Sequence, residues 1–143
     1  MKTVGDKLTA FAITGVKPGQ PEDAYFTITE KSFEGKWKVI VYYPKDFTFV
    51  CPSELFAFQA KLAEFESKNV HLIDVFTDTE QSHWGWLQVP KNKGGIEGVK
   101  YPIVADTSKT ISEQFGVLAG EHDYDMDGKF VATGPMIAYR GLF

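Results

Sequence analysis

Two apolar runs with a helical pattern between them limit what this chain can fold into more than any other feature. Trp37-Lys38-Val39-Ile40-Val41-Tyr42-Tyr43 is mostly β-branched and aromatic, and of strand length. Val70-His71-Leu72-Ile73-Asp74-Val75-Phe76 is a second run of the same kind. Between them Leu55, Phe58, Leu62 and Phe65 recur at helical spacing from Glu54 to about Lys68, with Lys61, Glu64 and Glu66 among the polar positions. Strand, helix, strand at this spacing is a βαβ unit, which demands a right-handed crossover and parallel neighbours. In open sheets of this type ligand chemistry gathers at the carboxyl ends of the parallel strands. The first such end carries the only cysteine of the chain, Cys51.

The rest of the sequence dresses that unit. Phe11–Thr14 and Tyr25–Thr29 read as short strands around the Gly- and Pro-rich reversal Gly15–Pro21. After the second long strand, Thr77 or Asp78 is expected to cap a helix from about Thr79 to Leu87, closed by Pro90. Lys91 to Lys100 reads as a glycine-rich surface loop and Pro102–Ala105 as a short strand. A helix capped by Thr107 or Ser108 then runs to about Phe115, stopped by Gly116. Ala119 to Pro135 is polar and long for a connection, and Met136–Phe143 reads as a last strand. The expected architecture is α/β, a thioredoxin-like three-layer sandwich with an N-terminal β-hairpin extension, formed by residues 1–143 as a single domain.

Cys51 lies at a junction. Pro44 ends the strand because it has no N–H for a ladder, and Pro52 suits the first turn of a helix, where a missing N–H costs nothing. The sulfur is thereby placed at a helix N-terminus, whose unpaired N–H groups and positive dipole end favour a thiolate, the reactive form. Thr48, three residues upstream, offers a hydroxyl that can donate to the sulfur and accept from a substrate. Pro44 is placed to shield it from bulk water. The plain alternative is that Cys51 is a small buried hydrophobe.

The segment Tyr43-Pro44-Lys45-Asp46-Phe47-Thr48-Phe49-Val50-Cys51-Pro52-Ser53-Glu54 closely resembles the active-site segment of typical two-cysteine peroxiredoxins, the alkyl hydroperoxide reductase and thiol-specific antioxidant family. That family usually has Thr where Ser53 stands. The resemblance extends to Phe33–Trp37, to Asp78, His83 and Trp86, to Lys93–Ile96, to Tyr101–Asp106 and to Ala138–Phe143. It implies a thiol-dependent peroxidase that reduces hydrogen peroxide and organic hydroperoxides through a Cys51 sulfenic acid, with no metal, flavin or haem cofactor. Thr48, Arg140 and Pro44 would be catalytic beside Cys51. It also implies a homodimer and rings of dimers such as a decamer, with reduction by thioredoxin or a dedicated disulfide reductase. Members of the family resolve the sulfenic acid with a second cysteine, absent from this chain. They also continue beyond the strand in which it stops, so a piece of a longer protein is expected. Gly94-Gly95-Ile96 is similar to an element of forms prone to overoxidation, although Glu97 intervenes before Gly98.

Arg140 is the oddity of the last apolar run. An arginine there is costly unless paired or aimed into a site; the alternative is a strand edge with the head in solvent. Glu54, in the first turn of the cysteine helix, is the expected partner that orients it. Asp123–Gly128 has the opening spacing of a calcium loop, but the twelfth position is Gly134 rather than Glu, so a solvated acidic turn is expected. His71, His83 and His122 have no metal-ligand spacing, and the tryptophans Trp84 and Trp86 read as core or subunit interface. A net charge of −4 gives no reason to expect nucleic acid or an anionic membrane as partner. No apolar run reaches membrane-spanning length and the N-terminus lacks a secretory h-region, so a cytoplasmic location is expected. The competing reading is a non-enzymatic thioredoxin-fold holdase or structural module with an inert Cys51.

Overall fold

The computed structural model describes residues 1–48 and 50–143; Phe49, within the cysteine segment, lies outside the described residues. The chain runs β1 (Ala12–Val16), α1 (Pro21–Ala24), β2 (Tyr25–Thr29), β3 (Trp37–Tyr42), α2 (Cys51–Ala60), α3 (Leu62–Ser67), β4 (Val70–Phe76), α4 (Glu80–Leu87), β5 (Ile103–Ala105), α5 (Thr110–Gln114), β6 (Leu118–Tyr124), β7 (Phe130–Ala138) and β8 (Gly141–Leu142). A six-stranded sheet has the order β2-β1-β5-β4-β3-β8, and β6 and β7 form a separate two-stranded ribbon. The β3–β4 and β4–β5 pairs are parallel, as the βαβ pattern requires. The N-terminal hairpin joins through an antiparallel β1–β5 contact.

Alternation along the central strands builds two cores. Val39 and Val41 of β3, Leu72 and Phe76 of β4, and Ile103 of β5 face one side, with Leu55 of α2 and Trp86 and Leu87 of α4. Ile40 and Tyr42, Ile73 and Val75, and Val104 face the other, under Ile111 of α5. Because both faces are covered, β4 shows no polar alternation and reads as an apolar run interrupted only by His71 and Asp74. The expected helix over 54–68 is two helices, α2 and α3, broken at Lys61.

Several details depart from expectation. Thr79, not Thr77 or Asp78, caps α4, its hydroxyl accepting from the Ser82 N–H at 3.2 Å. Neither Thr107 nor Ser108 caps α5; the buried Asp106 does, accepting from the N–H of Ile111 and Ser112 and the Ser112 hydroxyl at 3.3, 2.7 and 2.6 Å. Residues 91–100 are less of a surface loop than expected. Ile96 and Val99 are fully buried, and the Trp86 indole donates to the Gly94 carbonyl at 3.0 Å. The stretch expected as a connection is mostly the β6–β7 ribbon, with a bulge at Gly120. Its outer part is exposed on both faces, which hides the period that marks a strand. Asp123–Gly128 is a solvated turn, with Asp125 accepting from the N–H of Asp127 and Lys129. Among the described residues no helix is long and apolar enough to cross a membrane.

Candidate active site

Helix α2 begins at Cys51 with Pro52 next, so the cysteine occupies the first helical position. Its side chain is buried, 1% exposed. Glu54 follows within the same turn. The last strand expected over Met136–Phe143 is interrupted: Tyr139 and Arg140 lie between β7 and β8, outside both ladders. That break aims Arg140 at α2. Its Nε donates to both carboxylate oxygens of Glu54, at 3.0 and 3.1 Å, and its Nη2 lies 3.5 Å from the Cys51 Sγ. The Glu54 hydrogen bond, and beyond it the Glu54 charge, raises the guanidinium above its already high ordinary value, so it is a permanent cation beside the sulfur. Cys51, Glu54 and Arg140, separated by as many as 89 residues in sequence, therefore meet.

Pro44 lies two residues past the end of β3 and is half-buried. Thr48 is half-buried too, and its hydroxyl donates to the Lys45 carbonyl at 3.3 Å. Among the described residues it makes no hydrogen bond to Cys51, so the expected donation to the sulfur is not part of this geometry. Its oxygen lone pairs remain free to accept.

What fixes the loop before the cysteine is a pair of contacts that the sequence did not announce. The Asp46 N–H donates to the Asp78 carboxylate at 2.7 Å, and the Asp46 carboxylate holds the His83 Nδ1 at 2.6 Å, with both side chains buried. The Phe47 ring packs on Trp86 and its backbone sits in the left-handed region at φ 55°, a strained placement for a bulky residue. His83 is thus a buried tether of the loop, not a free base near the thiol, while His71 stacks on Phe33 at the other end of the central strands.

A second buried group under α2 was also missed. Asp74 on β4 is completely buried, and among the described residues neither carboxyl oxygen receives a hydrogen bond. The signal was present, since a single Asp in a strand covered on both faces has nowhere polar to go.

The sequence profile of the AhpC/TSA family matches residues 4–143. The chain belongs to the AhpC/TSA family. Peroxiredoxin 1 of Brugia malayi is 40% identical over 139 residues, covering 96% of this chain and 53% of that protein. Peroxiredoxin-1 of Gallus gallus is 36% identical over 98% of this chain and 62% of its own length. The chain therefore spans between about half and three-fifths of these relatives. Among solved structures, thioredoxin peroxidase I of Plasmodium yoelii superposes with a TM-score of 0.76 at 28% identity, over 96% of this chain and 70% of that one. AhpC of Mycobacterium tuberculosis gives 0.71 at 29% identity, over 100% and 88%. These likenesses bear out the α/β, thioredoxin-like peroxiredoxin fold expected for this AhpC/TSA chain.

Proposed function

We propose that this AhpC/TSA chain carries the peroxide-reducing site of a thiol peroxidase, with Cys51 as nucleophile. The observation that carries the reading is the Arg140 guanidinium held between Glu54 and the Cys51 sulfur at the start of α2. A planar cation anchored on one side by a carboxylate keeps its remaining N–H groups for the thiolate and for an incoming oxygen. Peroxiredoxin relatives support the same chemistry.

In the proposed step the Cys51 thiolate attacks one peroxide oxygen. A sulfur–oxygen bond forms, the oxygen–oxygen bond breaks, and sulfur is oxidised by two electrons to a sulfenic acid. The departing oxygen leaves as hydroxide or alkoxide and takes a proton to become water or an alcohol. Arg140 and the helix N-terminus face the charge as it moves along the sulfur–oxygen–oxygen line. Thr48, its own proton engaged by Lys45, accepts from the peroxide O–H and orients it. Pro44 walls the loop side. The buried sulfur favours small peroxides over bulky ones. A resolving thiol from outside residues 1–143, reduction by thioredoxin or a dedicated disulfide reductase, and a homodimer or ring of dimers complete the proposed cycle.

Intact mass after brief exposure to stoichiometric hydrogen peroxide with a sulfenic-acid trap tests this. The adduct is expected on Cys51, absent in Cys51→Ser and much slower in Arg140→Ala. A folded sample that forms no adduct overturns the reading.

A further inference from the structure

The carboxyl of Asp74 is the least expected group in the molecule. In register it lies between Val41 of β3 and Ile103 of β5, and along its own strand between Leu72 and Phe76, which share its face. All four are buried and apolar. The polar groups that face it come from three directions. Tyr101 precedes β5, Tyr43 follows β3 with a buried hydroxyl that has no partner among the described residues, and Glu54 stands on α2. Tyr101 decides the matter. Its hydroxyl donates to the Leu55 carbonyl at 2.8 Å, a bond from the core into the helix that begins with Cys51. The Asp74 carboxyl is near enough to act on the same hydroxyl, yet neither of its oxygens holds a hydrogen bond among the described residues, which leaves it a rival acceptor for one donor.

A phenol has one proton to give. A neutral carboxyl is a weak rival to a helix carbonyl, whereas a carboxylate is a strong one. We propose that Asp74 is a proton-controlled positioning residue for α2: protonated, it leaves the Tyr101 hydroxyl on Leu55; ionised, it draws that hydroxyl away and loosens the helix that places Cys51 and Glu54. Burial, the largest influence, pushes the carboxyl well above its ordinary value; the Tyr101 hydroxyl works against it and the Glu54 charge adds to it, so the protonated form belongs to the closed helix. When α2 lifts, water reaches Asp74 and its ordinary acidity returns. The closed form then binds one more proton than the open form at every pH between the ordinary carboxylate range and the raised value. Opening is favoured as pH rises through that window and levels off above it.

Hydrogen exchange of backbone amides, corrected for intrinsic rates and followed from about pH 5 to about pH 9, reads this without any peroxide, so it stands or falls apart from the peroxidase reading. In the native chain, opening of α2 is expected to grow by up to about tenfold per pH unit within the window, while α4 stays flat. Asp74→Asn, which cannot ionise, is expected to abolish the slope. Tyr101→Phe is expected to lower α2 protection about fivefold at the acid end and, with no hydroxyl left for the carboxylate to draw away, to lose the slope; a slope kept in full there overturns the Tyr101 route. A flat α2 profile in the native chain, or a slope shared equally by α4, overturns the proposal even if Asp74→Asn fails to fold. A slope that survives in Asp74→Asn also overturns it.

Discussion

Replacing Arg140 with alanine tests the central arrangement most directly. The guanidinium Nη2 stands 3.5 Å from the Cys51 sulfur. Two unit charges at that separation attract by about 5 kcal/mol at an effective dielectric near 20. Arg140 has 46% of its side chain exposed, so water screens a large part of this, leaving about 2–3 kcal/mol. The substitution also strands the Glu54 carboxylate beside a thiolate with no cation between them. The rate of Cys51 oxidation should therefore fall roughly 30- to 150-fold. Stopped-flow competition against a peroxidase of known rate measures it, with circular dichroism checking that the variant folds. Arg140→Lys should recover only part of the loss, because an ammonium cannot span Glu54 and the sulfur as a planar fork does. A folded Arg140→Ala protein that reacts within about threefold of the native rate refutes the electrostatic argument.

Glu54→Gln, which keeps an acceptor for Arg140 but drops the charge, should slow the same reaction by about three- to tenfold and add little on top of Arg140→Ala. Gly95→Ala should lower stability by about 3 kcal/mol in a denaturant titration, because a Cβ there would stand 1.9 Å from the Val89 carbonyl oxygen. Asp106→Ala leaves three donors at the start of α5 without their acceptor and should cost about 2–4 kcal/mol, read from the same titration. Burial, then Lys36, holds His71 below its ordinary value of 6.5. The unfolded chain thus takes up protons first as the medium is acidified. Stability should fall as pH drops through and below that value, and His71→Phe should flatten the fall.

The central strands, the start of α2 and the need of Arg140 for a partner were legible in sequence for separate reasons. β3 and β4 are long apolar runs with no competing helical period. Pro52 marks the first turn by its missing N–H. Arg140 stands out because a cation in an apolar run needs a partner, though the run reads as one strand and is broken at that residue. The ribbon β6–β7 was not legible, since its outer residues are exposed on both faces and carry no burial pattern. The caps of α4 and α5 went to Thr79 and Asp106 because Asp78 is engaged by the Asp46 N–H and Asp106 is folded inward. Residues such as Asp46 and His83 depend on a contact across 37 positions, which no local period encodes.

One turn of α2 supplies both the nucleophile and the residue that aims the cation. Arg140, lying outside both ladders, takes its direction from that turn rather than from a strand. If the turn uncoils, the sulfur and the anchor of the guanidinium depart together, and the arginine has nothing left to point it. The site is therefore present whole or absent whole, with no partially wired form that holds a charged arginine over an empty place. A change that weakens α2 should reduce the fraction of molecules able to react while leaving the reactivity of each assembled molecule untouched.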